Sequence, residues 1–150
     1  MLLKLLREHS REHECLVINL GCDGPIGARI EAVGVPVHHL GAKGPGQFPR
    51  KLPTLRRVLA KTHPDIVQGW MYHGNLAAWA GSIFGDTPIV WNIRASLHRM
   101  DLFKPVTRLV IKLGARLSHS VDRMIFNSQT SLTQHVGIGF QFSNAVVIPN

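Results

Sequence analysis

Cysteine is nearly absent from this chain: Cys15 and Cys22 are the only two in 150 residues. A disulfide scaffold or a zinc site needs more, so they read as two inert thiols in a reducing compartment. Metal-ligand spacing is missing too. Nine histidines include no H-E-x-x-H pattern, and the consecutive His38 and His39, placed on a strand, must face opposite ways. No G-x-S-x-G elbow surrounds Ser128, which argues against a nucleophilic serine. The apolar start MLLKLLREHS is interrupted by Lys4, Arg7 and Glu8 within two turns, so it suits an amphipathic helix and not a signal peptide. Residues 66–85 carry no formal charge, yet Gln68, His73, Asn75 and four glycines punctuate them. A strand–loop–helix unit fits that stretch better than a membrane span. Acidic residues are scarce, 9 against 17 Lys+Arg, giving a net charge of +8 and a pI near 10.4. This balance favours an anionic partner: a phosphorylated ligand, an acidic lipid surface or nucleic acid. The last lacks interleaved surface aromatics and any recognised motif.

What is present is ordinary globular material, 45% hydrophobic, with glycine and proline dispersed between apolar runs, enough for one domain with a real core. Apolar, β-branched strands are expected at residues 15–20, 35–40, 65–70, 88–93, 122–126 and 145–148. Helices are expected at 1–9, 25–33, 52–61, 75–84, 101–118 and 129–136. Strand and helix alternate throughout, which predicts an α/β fold with a parallel sheet covered by helices on both faces. The longest helix is expected at 101–118, with Leu102, Val106, Leu109, Val110, Leu113 and Leu117 as its inward stripe. Lys104, Arg108, Lys112 and Arg116 recur every four residues beside that stripe. They make either a solvated face or one that lies against anionic lipid headgroups. The chain opens on a helix and stops just after a strand, so it reads as an excerpt of something longer.

Polar and aromatic side chains gather where strands end. Residues 64–75, PDIVQGWMYHGN, run from a short apolar strand into Tyr72, His73 and Asn75. Similar endings follow Trp91 (NIRAS) and Phe126 (NSQTS). Carboxyl ends of parallel strands are where open α/β sheets hold ligands, so one small-molecule site is expected along a common rim. Arg94 reads either as a cation for a phosphate or a charged leaving group, or as a surface arginine capping a loop; Asn92, Ser96 and His98 cluster beside it. Asn75 is expected to cap the helix that follows, and Gly74 to allow close approach of a ligand. His73 is open between ligand contact and a satisfied loop histidine. Ser128 is expected to cap the helix starting at residue 129. Gly21, Gly24 and Gly27 have the wrong spacing for a dinucleotide fingerprint, and Pro25 removes an amide, so they read as turn makers.

Taken in order and spacing, PDIVQGWMYHGNLAA, PIVWNIRAS, DRMIFNS and the terminal VVIPN resemble the amino-terminal half of a retaining glycosyltransferase of family 4 with GT-B architecture. The resemblance covers nearly the whole chain. It implies a Rossmann-like acceptor-side domain, lacking its first strand, with the donor-binding domain outside the chain. It also implies transfer of a hexose from a nucleotide-sugar co-substrate to a lipid-linked or glycan acceptor, with no metal or cofactor required. The family usually has a catalytically important histidine six residues after the proline opening PIVWNI, and here that position is Arg94. Tyr72, His73 and Asn75 resemble an acceptor-cleft loop, Ser96, Asn127 and Ser128 would shape the cleft, and Asn150 would begin the I-P-N-G turn into the second domain. The setting implied is cytoplasmic, in cell envelope polysaccharide synthesis, and any peripheral contact with the inner membrane face would run through Lys104, Arg108, Lys112 and Arg116. The isolated chain is expected to be poorly stable and catalytically silent. A flavodoxin-like nucleotide-binding module without catalysis is the alternative.

Overall fold

A computed structural model describes residues 1–149; Asn150, expected to start the interdomain turn, lies outside them. The chain divides into two compact units, residues 1–55 and 56–150. The strands fall into two all-parallel sheets, β1-β2 and β3-β4-β5-β6.

The first unit opens with α1 (Leu2–His9), followed by β1 (Val17–Asn19), α2 (Pro25–Glu31) and β2 (Val37–His39). Its core is small. Leu6, Ile30 and Val35 are buried, with Leu2, Leu3, Val17 and Val37 packed against them. The glycines of the β1–α2 connection act as turn makers. Asn19 accepts from the Gly21 N–H at 3.0 Å and donates to Cys22 O at 2.8 Å, while Asp23 Oδ1 accepts from Gly24 N at 2.7 Å. A carboxylate already stands where a phosphate would sit, and the two would repel. Gly27 has a packing reason instead, because a Cβ there would lie 3.0 Å from the His39 ring.

The unit boundary falls within α3 (Phe48–Thr62), which at 15 residues outruns every other helix. The expected helix at 52–61 underestimated it, and the expected longest helix at 101–118 is shorter, at Pro105–Leu117. Pro49 occupies the first turn, where its missing N–H costs nothing, and Pro53 lies one turn further on.

The second unit holds β3 (Val67–Trp70), α4 (Met71–Ser82), β4 (Ile89–Ile93), α5 (Pro105–Leu117), β5 (Arg123–Phe126), α6 (Gln129–Val136) and β6 (Ala145–Val147). β4 is flanked on both sides and buries Trp91 and Ile93. Met124 and Phe126 of β5, Ile111 of α5 and Leu132 of α6 complete a continuous core with them. Central strands of a parallel sheet are covered on both faces, which is why PIVWNI is apolar but for Asn92.

Two expectations fail here. α4 begins at Met71, four residues before Asn75, so Tyr72, His73 and Asn75 belong to a helix and not to a loop, and Asn75 is no cap. The chain turns from strand to helix without a linker by placing Met71 at φ 60°, a left-handed conformation that residue type does not advertise. The inward face of α5 is also rotated from the expected stripe. Val110, Ile111, Gly114 and Ala115 are buried, whereas Leu102, Val106 and Leu109 are exposed.

Candidate functional site

Strands β3, β4 and β5 are adjacent and parallel, in the registers Trp70↔Asn92 and Ile93↔Phe126. Their carboxyl ends therefore share one edge, and the residues that follow each end emerge there: the first turn of α4, the segment at Arg94, and Asn127 with Ser128.

Asn75 and Gly69 explain how α4 starts so abruptly. The Asn75 carboxamide accepts from Asn92 N at 3.3 Å and donates to Asn92 O at 3.5 Å. A primary amide has the donor and acceptor of a peptide unit, so Asn75 continues the ladder on β4 after β3 has left it. This requires the helix backbone to rest on the strand, and Gly69 permits it: a Cβ there would fall 2.5 Å from Asn75 Cα. Buried Asn75 is thereby committed to holding the fold.

Tyr72 is also buried. Its ring packs against Phe103 and His135, and its hydroxyl donates to His135 Nε2 at 3.0 Å. His135 Nδ1–H in turn donates to Ser131 O at 2.7 Å, which fixes the neutral tautomer. Burial pushes the Tyr72 phenol upward and holds His135 below the ordinary histidine range. Tyr72 thus stands in the core and not on an acceptor loop. His135 gave no sign of this role, since a histidine on a short helix normally reads as solvated.

His73 remains at the edge. It is half-buried, its Nε2 is buried without a hydrogen-bond partner among the described residues, and desolvation lowers its pKa. Gly74 is not needed for packing, because the nearest atom to a Cβ there lies at 4.0 Å.

Arg94 lies just beyond β4, half-buried, with its guanidinium carbon 5.4 Å from the centre of the Trp70 ring. The aromatic face at the end of β3 steadies the cation at the end of β4. Trp70 also occupies the N-cap of α4 and gives no side-chain cap, which leaves the helix-start amides beside that cation. Asn92, expected beside Arg94, is buried with its backbone held by Asn75.

The segment after Arg94 is clamped by α6. Ser131 Oγ donates to Ala95 O at 2.6 Å, and Gln134 Oε1 accepts from Leu97 N at 2.7 Å. Gln134 Nε2 also meets exposed His98 at 3.0 Å. Sequence reading missed this clamp and the Trp70 platform. The one available signal was the i, i+3, i+4 spacing of Ser131, Gln134 and His135, which puts three polar residues on one helix face. Ser96 is exposed within the clamped segment, and Asn127 is half-buried at the end of β5. Ser128 caps α6 as expected, accepting from Ser131 N at 3.1 Å.

No group of His, Cys, Asp or Glu suited to a metal ion occurs among the described residues. No described helix is long and apolar enough to cross a membrane.

The family model for Glycosyltransferase Family 4 matches residues 1–150. No curated protein matches the chain in sequence. Among solved structures, Alr3699/HepE of Anabaena in complex with UDP-glucose superposes with a TM-score of 0.77 at 20% identity, covering 99% of this chain and 39% of that one. The same protein in complex with UDP and glucose gives a TM-score of 0.74 at 21% identity, covering 99% and 40%. The chain thus spans about two fifths of that protein's length, and the likeness establishes the Rossmann-like fold of a GT-B glycosyltransferase. On the family match over its whole length, this chain belongs to Glycosyltransferase Family 4.

Proposed function

We propose that the chain is the acceptor-side part of a retaining hexosyltransferase that moves a sugar from a nucleotide-sugar donor to a lipid-linked or glycan acceptor. The donor-binding domain would lie outside residues 1–150. The supporting observation is the cation at the strand edge: Arg94 against Trp70, beside the uncapped start of α4. In the transfer the bond from the anomeric carbon to the diphosphate breaks and a bond to the acceptor oxygen forms. The acceptor loses its proton, and negative charge accumulates on the departing diphosphate. A preorganised guanidinium and the positive end of the α4 dipole lower the barrier by meeting that charge. His73, Ser96, Asn127 and Ser128 border the same edge on the acceptor side. No step requires a metal or cofactor. The reading is supported further by the binding of UDP and UDP-glucose to the structural neighbour from Anabaena. On this reading the enzyme would work in the cytoplasm in cell envelope polysaccharide synthesis, with the α5 cations facing the inner membrane surface.

Inorganic pyrophosphate, a mimic of the leaving group, tests the site in the 150-residue chain. Titration followed by NMR is expected to shift the amides of Met71, Tyr72 and His73 and the Arg94 guanidinium, and Arg94→Gln is expected to abolish the response. Unmoved resonances at these positions would remove Arg94 from the reaction.

A further inference from the structure

Gln134 makes two hydrogen bonds with one carboxamide, and the first dictates the second. Its Oε1 accepts from the Leu97 N–H at 2.7 Å, and a backbone N–H can only donate, so the orientation of the amide is fixed. Gln134 Nε2 is therefore the donor in the 3.0 Å contact with His98, and His98 Nδ1 is the acceptor. The proton of the neutral ring then sits on Nε2. The two nitrogens lie on different sides of an imidazole, so this N–H points away from α6. His98 is exposed, and an exposed histidine ordinarily samples several rotamers and both tautomers. Here one direction and one donor are set before any ligand arrives, because buried Leu97 and the bond from Ser131 to Ala95 O hold the backbone beneath the ring.

The charges around His98 select what that donor meets. Residues 94–101 carry Arg94 and Arg99 against one acid, Asp101, whose carboxylate is paired with Arg99 at 2.8 Å. The positive end of the α4 dipole lies at the same strand edge. A directed N–H in positive surroundings suits a phosphoryl oxygen, whereas a sugar hydroxyl would gain nothing from the surrounding charge. We infer that His98 is a further substrate-binding residue of this edge, donating from Nε2 to a phosphoryl oxygen of the diphosphate, and that Gln134 is the positioning residue that aims it. The inference rests on the reading of this edge as the place where the diphosphate departs. To the charge of Arg94 it adds a bond with a defined direction.

Titration of the nitrogen-labelled 150-residue chain with inorganic pyrophosphate at about pH 8, above the ordinary imidazole range, tests both residues by NMR. The ring-nitrogen spectrum is expected to show the His98 proton on Nε2 and to shift there as pyrophosphate binds. His98→Ala, at an exposed site, should weaken pyrophosphate about ten-fold with an unchanged urea midpoint. Gln134→Glu keeps an acceptor for the Leu97 N–H but replaces the donor to Nδ1 with an acceptor. The ring proton should move to Nδ1, and binding should fall about as far as in His98→Ala. In a His98→Ala background the same substitution should add less than it does in the parent. An equal loss in both backgrounds would be plain repulsion by the new carboxylate and would overturn the role of Gln134. A parent ring protonated on Nδ1, or His98→Ala binding like the parent, would overturn the proposal. Loss in Arg94→Gln but not in His98→Ala leaves the reading of the edge standing without His98. Loss in His98→Ala but not in Arg94→Gln keeps His98 and removes Arg94, and no response in the parent removes both.

Discussion

At Gly69 a built Cβ would lie 2.5 Å from Asn75 Cα and 2.8 Å from Asn75 N, so the position admits hydrogen and nothing larger. The clash is with backbone, which no rotamer change relieves. Gly69→Ala is therefore expected to cost about 3 kcal/mol, read as a lowered urea midpoint, whereas Gly74→Ala, with open space around its Cβ, should not. Equal stability of the two variants would mean that α4 does not rest on β3 as described. Sequence reading singled out Gly74 and passed over Gly69, because neither the strand-to-helix turn at Met71 nor the close approach of Asn75 leaves a local signature. Ser128 was legible for the opposite reason. A cap depends only on residues a few positions away, and its contact to Ser131 N is such a local one.

Among the elements, α6 does the least conspicuous work. Ser131 and Gln134 hold the segment after Arg94, and His135 ties the helix to Tyr72 of α4. His135 sits below its unfolded value because burial disfavours the charged ring. The unfolded chain therefore binds a proton more readily. Stability is full above about pH 6.5 and is lost as pH falls through the folded value. His73, lowered by the same cause, adds in the same direction. Urea midpoints are expected to drop between about pH 7.5 and about pH 5.5, with a His135 imidazole titration midpoint below the ordinary one. A midpoint at the ordinary value would show that the ring is not desolvated in solution. Element types were mostly readable from period and punctuation. Helix rotation was not: on α5 the 3–4 spacing fits two faces, and the approach of Phe140 and Trp91 to Gly114 selects the one facing inward.

Across the whole molecule, the two units differ in how much they bury. Three residues form the core cluster of the first, against fourteen in the second, so the first should open at lower cost. Amide exchange is expected to be faster at residues 17–19 and 37–39 than at residues 89–93 and 123–126. Equal protection in both sheets would show that the units open together. The alternation of strand and helix, the parallel sheets, the family resemblance and the strand-end position of Arg94 were all available in the sequence, because hydrophobic period and chain order encode them directly. Tertiary structure alone decided that Tyr72 and Asn75 are structural, that Trp70 supports Arg94, and that α5 turns Val106 and Leu109 outward. Each of these depends on contacts between residues distant in the chain, and such contacts are set by packing space, which no local pattern records.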